Sequence, residues 1–399
     1  MNEQNWSFDE VIDRSETQSV KWDFHEKDLL PLWVADMDFR APNPIIDALS
    51  NRVKHGIFGY SYFHNSYYDA LLNWFKRRYN WELNQEWLLF TPGVIPAINL
   101  AIQEFSNPGD NIIIQNPVYY PFYGVITNKG RQFLLNPLKF SKNSYKMDFE
   151  DLEKKVSDPR TKIVILCNPH NPIGRVYTSQ ELTHFGDICI EHEKLIIADE
   201  IHCDLVYPQY KHINFSSINE DFAQNSITCT SGSKTFNLAG LQLSNIIIPN
   251  QEIRKTMRLA IERLFLPEAL GYLPNTLSFV AFRAAYENCE EWLDSLIQYL
   301  QSNLEFLKSF IRDNLPLISV IEPEGTYLVW LDFRKLGMGH EQLEHFMKKD
   351  AKVALDEGYN FGQGGEGFER INIACPRLIL EEALNRIFNA ITNLKNTNY

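Results

Sequence analysis

The chain has 399 residues, 44% of them hydrophobic and 22% charged, with a formal net charge of -13. This length suits a large domain with a smaller one, and the composition is that of an ordinary globular protein. The acidic balance argues against nucleic acid, whose phosphates demand Lys/Arg-rich faces, and against an anionic membrane surface.

In chain order, the first ~43 residues carry several prolines and aromatics and read as an arm. Residues 44–55 and 66–79 have helical periodicity, with Leu71, Trp74 and Phe75 on one stripe, and 94–105 reads as a helix after Thr91-Pro92-Gly93. Short apolar strands then recur at 112–114, 162–167, 195–198, 227–230 and 243–248. Helical segments lie between several of them, one opening on Thr178-Ser-Gln-Glu181, a capping box. Continuous apolar strands separated by helices predict an α/β fold with a mainly parallel sheet covered on both faces.

After about residue 285 the texture changes. A long helical region over 287–312, a strand at 327–333, a helix near 340–350, a strand at 369–374 and a closing helix at 380–395 read as a smaller α/β lobe. The expected division is 44–285 as a large domain, with 1–43 and 286–399 forming the arm and the small domain.

Six cysteines, at 167, 189, 203, 229, 289 and 375, show no C-x-x-C spacing and lie mostly in apolar runs, as buried reduced thiols do. The N-terminus lacks the basic and apolar regions of a signal peptide. Uncharged stretches such as 111–128 are broken by Pro117, Pro121 and Gly124, so none predicts a membrane span. The expectation is a soluble, cytoplasmic protein. His202-Cys203-Asp204 lacks partners at metal-ligand spacing, and no metal site is expected.

Polar residues gather where predicted strands end. Asn171 follows the strand ending at Cys167, Asp199 follows Ala198, Lys234 comes four residues after Thr230, and Gly93 opens the helix at 94. Ligands bind at the carboxyl ends of strands in such sheets, so these loops predict one pocket. The residue types suit an aldehyde-bearing, phosphorylated pyridine. A lysine amine bonds the aldehyde carbon and later serves as a base. A carboxylate beneath the ring nitrogen keeps it protonated, and an asparagine amide donates to the phenolic oxygen. Backbone N–H groups of Val94 and Ile95, with the hydroxyls of Ser231 and Ser233, suit a phosphate. Taken alone, Lys234 is equally a solvated lysine. Ser231-x-x-Lys234 also matches a serine-acylase pattern, but that pattern's companion S-D-N and K-T-G motifs are missing from the sequence. The glycine-rich run 362–367 lacks a βαβ setting and reads as a flexible turn, not a nucleotide loop.

The order Asn168-Pro-His-Asn-Pro-Ile-Gly174, Asp199-Glu-Ile-His202, Ser231-Gly-Ser-Lys-Thr-Phe-Asn237 resembles fold-type I pyridoxal 5'-phosphate (PLP) enzymes of the class I/II aminotransferase superfamily. It is most similar to their cystathionine β-lyase/cysteine-S-conjugate β-lyase branch, the MalY/PatB group that includes cystalysin. Further matches are Trp33-Val-Ala-Asp-Met-Asp-Phe39, Phe58-Gly-Tyr60, Thr91-Pro-Gly-Val-Ile-Pro96, Asn116-Pro-Val-Tyr-Tyr-Pro-Phe122 and Arg370-Ile-Asn-Ile-Ala-Cys-Pro376. The resemblance implies PLP as cofactor, with Lys234 as its carrier and catalytic base. It also implies that Tyr119 stacks on the ring, Asp199 pairs with its nitrogen, Asn171 binds its phenolic oxygen, and His202 completes the cofactor set. Substrate contacts are implied for Ala35, Tyr60, Tyr120, Asn171 and Arg370, with Arg370 taking the α-carboxylate in a bidentate pair. Tyr60, counted with Lys234 and Tyr119 among the catalytic residues, would reach a neighbouring subunit's site, which implies a homodimer.

Three positions depart from the pattern. Gly232 stands where the branch usually has Pro, His202 where many aminotransferases have Tyr, and Gln242 where an Arg commonly meets the phosphate. The implied reaction is β-elimination from a cysteine thioether to a thiol, pyruvate and ammonia. An aminotransferase is the alternative enzyme, and a PLP-fold protein with an added regulatory binding role is the alternative of another class. Tyr60, Tyr62, Phe63, Tyr119, Tyr120 and the apolar run 264–267 predict a roomy aromatic mouth that admits bulky thioethers.

Overall fold

Runs of Ile, Val and Leu build the central sheet. The computed structural model describes residues 6–265 and 273–397. Seven strands lie in the order Leu88–Thr91, Ser244–Ile247, Ser226–Thr230, Leu195–Asp199, Thr161–Cys167, Asn111–Ile114 and Gln132–Leu135. Ser244–Ile247 is antiparallel to both its neighbours, and all other pairings are parallel.

The pleat sends alternate residues to opposite faces. Ile112, Ile114, Ile163 and Ile165 join the helices Val94–Phe105 and Gln251–Phe265 in one core. Ile113, Val164 and Leu166 join Phe149–Val156 and Ser179–Glu191 in the other. Burial on both faces is why these strands are apolar throughout rather than alternating. The capping box forms: Thr178 Oγ1 accepts from Glu181 N at 3.2 Å, and Glu181 Oε2 accepts from Thr178 N at 2.9 Å.

A second, antiparallel sheet has the order Ser319–Val320, Leu328–Asp332, Phe368–Asn372, Asp356–Glu357. The helices Glu290–Asn314 and Arg377–Thr397 bury Leu304, Leu307, Leu380 and Leu384 in the core beside it. The helical region expected over 287–312 is the helix Glu290–Asn314, preceded by a further helix, Thr276–Asn288, with Cys289 between them. Leu88–Thr91 and Gln132–Leu135 are strands that the apolar pattern did not single out. The second lies at the sheet edge and is half exposed. All six cysteines are buried and unpaired, as expected. Among the described residues, no helix is long and apolar enough to cross a membrane.

The segment before residue 40 is pinned to the small sheet. Leu30–Pro31 pairs in parallel with Val353–Ala354, and Asn372 Nδ2 donates to the carbonyls of Val34 (2.7 Å) and Asp36 (2.6 Å). Lys21 is fully buried, with Nζ 2.7 Å from Asp38 Oδ2, while Arg14 and the indole of Trp22 meet Asp38 Oδ1 at 2.7 and 2.9 Å. Removing one partner of a buried pair strands the other charge, so this cluster holds the 33–39 segment in one geometry. Asn237 clamps the same segment from the sheet side, accepting from Met37 N and donating to Met37 O.

Candidate active site

Val94, Ile95, Asn171, Asp199 and Lys234 sit where a strand stops and the chain turns, whereas Arg370 lies within the strand Phe368–Asn372. Asp199 is the last residue of Leu195–Asp199, and Asn171 lies in the loop after Thr161–Cys167. Lys234 belongs to the single helical turn Gly232–Thr235, capped by Ser231, after Ser226–Thr230. Val94 and Ile95 open the helix capped by Gly93. These four loops converge on a cleft of about 200 Å³. Val94, Ile95, Tyr119, Asn171, Asp199, His202, Ser231, Ser233 and Lys234 line it, together with Ala35.

Lys234 Nζ donates to the Ala35 carbonyl at 2.8 Å. Burial and then the Arg370 charge lower its pKa to about 8, against the opposing pull of Asp36 and Asp199. The amine is thus far closer to its uncharged, nucleophilic form at neutral pH than a solvated lysine. Asp199 is buried, and burial raises its pKa to about 7 despite the Ile201 N–H at 3.1 Å. A carboxyl in that condition calls for a cationic N–H partner, which a protonated pyridine nitrogen provides. His202 is buried, its Nδ1 makes no hydrogen bond, and burial lowers its pKa to about 3, so it adds no charge. Tyr119 N donates to Asn171 O at 3.1 Å, which locks the two loops together. The residues therefore fit PLP: an amine for the aldehyde, an acid for the ring nitrogen, an amide for the phenolic oxygen, and a helix start for the phosphate.

Other details sharpen the expectations. Ser231 Oγ donates to Leu243 O at 2.7 Å and accepts from Ser233 N at 3.0 Å, so this hydroxyl is spent on the backbone and Ser233 has the freer one. Arg370 lies next to the cleft, with Nη1 donating to Asn171 Oδ1 at 3.0 Å and Nη2 to Trp33 O at 2.8 Å. Tyr120 is partly exposed, its ring 5.4 Å from that of Tyr119 and 5.5 Å from that of Phe361. Tyr60 is 95% exposed and does not line the cleft of its own chain. Phe63 does not line the cleft: it is half-buried, its ring stacked on that of Phe90 at 3.7 Å against the core. Of the 264–267 run, Leu264 is exposed, and Leu266 and Pro267 lie outside the described residues. The 362–367 glycines form a tight turn, where a Cβ on Gly365 would meet the Gly358 carbonyl oxygen at 1.9 Å. Close packing at Gly362, Gly365 and Gly367 and positive φ at Gly364 account for that composition.

Two residues at the site carried no signal in the sequence. Tyr327 donates its hydroxyl to the Ala35 carbonyl at 2.9 Å, beside the lysine. Asp356 is the cross-strand neighbour of Arg370 and pairs with its Nη2.

Fold and site together define the class: a fold-type I architecture whose strand-end cleft is built for PLP. The chain belongs to the aminotransferase class I and II family, whose model matches residues 27–387. It is 44% identical to cystathionine beta-lyase PatB of Bacillus subtilis, covering 97% of this chain and 100% of that protein. It is 34% identical to protein MalY of Escherichia coli, covering 97% and 99%. Cystalysin from Treponema denticola, solved with PLP, superposes with a TM-score of 0.94 at 39% identity, over 98% and 99% of the two chains. The resemblance read from the motifs thus extends along both chains.

Gly232 has a physical reason to differ. Its N–H donates to the Tyr286 hydroxyl at 3.1 Å, and Tyr286 also accepts from Asn245 Nδ2 at 3.0 Å. A Cβ there would lie 3.1 Å from Phe236 and 3.2 Å from that hydroxyl. Proline would remove the donor and add bulk in a filled space. Gly232→Pro should lower stability by about 1–3 kcal/mol, the usual cost of unpairing a buried polar group. Chemical denaturation of the two proteins measures the difference.

Proposed function

We propose that this chain is a PLP-dependent carbon–sulfur β-lyase acting on cysteine thioethers, working as a homodimer in a reducing, cytoplasmic setting. The observation that carries the choice of elimination is the near full-length likeness to PatB, which is named a cystathionine beta-lyase. The half-buried lysine and buried acid that line the cleft, with the buried arginine beside it, supply the groups that the reaction needs.

Arg370 receives the α-carboxylate, a planar anion that a guanidinium matches. Asn171, bonded to Arg370 Nη1, holds that guanidinium toward the cleft. Tyr119 walls one side of the cleft and keeps the reacting α-carbon near Lys234. Lys234, as an uncharged amine, takes the α-proton, for which a pKa of about 8 is well matched near neutral pH. The cofactor, when bound, supplies an electron sink for the charge left at that carbon. The β-carbon–sulfur bond then breaks, the thiolate departs, and water completes the conversion of the remainder to pyruvate and ammonia. The partly exposed Tyr119 and Tyr120 leave the outer side open, so we expect bulky apolar leaving groups to be accepted beside cystathionine.

The dimer is proposed from surface chemistry. Val53, Ile57, Phe58, Tyr60 and Tyr62 are all more than half exposed within ten residues of chain. Such a run is characteristic of a contact surface. A second copy covering it would carry Tyr60 to the partner's cleft.

With cystathionine or S-methylcysteine and no 2-oxo acid, holoenzyme should release thiol and pyruvate in equal amounts. Strict dependence on 2-oxoglutarate with no free thiol would make it an aminotransferase. Mixing inactive Lys234→Ala and Tyr60→Ala proteins, with exchange of subunits, should restore about a quarter of the wild-type rate, because half the dimers then contain one intact site. No recovery would place Tyr60 outside the partner's site.

A further inference from the structure

We propose that Asp356 is an internal competitor for Arg370, so that the substrate carboxylate must displace an ion pair already made within the chain. This inference rests on the reading of Arg370 as the carboxylate receptor. Asp356 and Arg370 face each other across the antiparallel pairing of Asp356–Glu357 with Phe368–Asn372. Their side chains are 4% and 3% exposed, and Asp356 Oδ2 lies against Arg370 Nη2 as a charge contact. That oxygen accepts no aligned hydrogen bond, and Arg370 Nε is likewise buried without a partner. The guanidinium is held instead by Asn171 Oδ1, by Trp33 O, and by the face of Phe361 at 5.0 Å. Its charge is thus already matched before a substrate arrives.

Two carboxylates on one buried guanidinium leave one negative charge in excess, which burial penalises. Asp356 has little other help. From its own sheet it faces Glu357 and Glu369 as well as Arg370, and from neighbouring elements Tyr119, Tyr120 and Lys348. Lys348 is itself tied to Glu344 at 2.8 Å and to Glu357. Burial raises the Asp356 pKa to about 6, with Arg370 opposing. Below that pH Asp356 is neutral and Arg370 is free for the substrate. Above it the ionised Asp356 competes, so capture weakens as pH rises.

The test is KM and kcat for S-methylcysteine between pH 5 and 7.5, for wild type, Asp356→Asn, Asp356→Glu and Arg370→Gln holoenzymes. Wild-type KM should rise roughly tenfold across the window, as one proton-linked step allows. Asp356→Asn should show a KM that is flat and about tenfold lower at pH 7.5, with the change carried by KM rather than kcat. Asp356→Glu should keep the rise. A flat wild-type profile, or an Asp356→Asn enzyme with raised KM or an unchanged slope, would overturn the proposal. The wild-type profile decides even if Asp356→Asn does not fold. Arg370→Gln tests the underlying reading separately: an unchanged KM removes Arg370 as receptor whatever Asp356 does. A large rise there with no gain in Asp356→Asn removes the competitor alone.

Discussion

The site depends on one backbone oxygen. The Ala35 carbonyl accepts from Lys234 Nζ at 2.8 Å and from the Tyr327 hydroxyl at 2.9 Å. Three segments about 200 and 90 residues apart in sequence meet there, one from the arm, one from the central sheet and one from the small sheet. The geometry of the lysine is therefore only as good as the placement of residues 33–39. That explains why so much buried charge is invested in Lys21, Arg14 and Asp38, and why Asn237 grips Met37 just three residues after Lys234. The side chains that do no chemistry hold the one that does.

Around that oxygen, burial sets the protonation states. It lowers Lys234 and His202 and raises Asp199 and Asp356, so each group lies nearer neutrality than it would in water. A ring cation beneath Asp199 would restore the balance on the cofactor side, whereas a substrate carboxylate on Arg370 adds a negative charge beside Asp356. The cleft is thus electrostatically unfinished without its cofactor, which is a source of affinity for that group.

Much of this was legible in the sequence because parallel strands buried on two faces are apolar throughout, and the polar residues that end them stand out. Asn171, Asp199 and Lys234 were found that way, and each lines the cleft. Asp356 was not, because its strand has two residues and no period can be read from two. Tyr327 was read only as the start of a strand, since nothing local marks a hydroxyl that will meet a carbonyl 292 positions away. Phe63, an aromatic beside Tyr60 and Tyr62, reads as part of a mouth, whereas its half-buried ring stacks on Phe90 against the core. The unusual Gly232 became intelligible only when Tyr286, 54 residues on, was seen to use its N–H.

The central claim is that Lys234, held against the Ala35 carbonyl, moves the substrate's α-proton. Exchange of the α-hydrogen of L-alanine into deuterated water, followed by NMR, isolates that step because alanine has no leaving group. Wild-type holoenzyme should exchange it, and PLP-loaded Lys234→Ala should not. Exchange at an undiminished rate in Lys234→Ala would contradict the account.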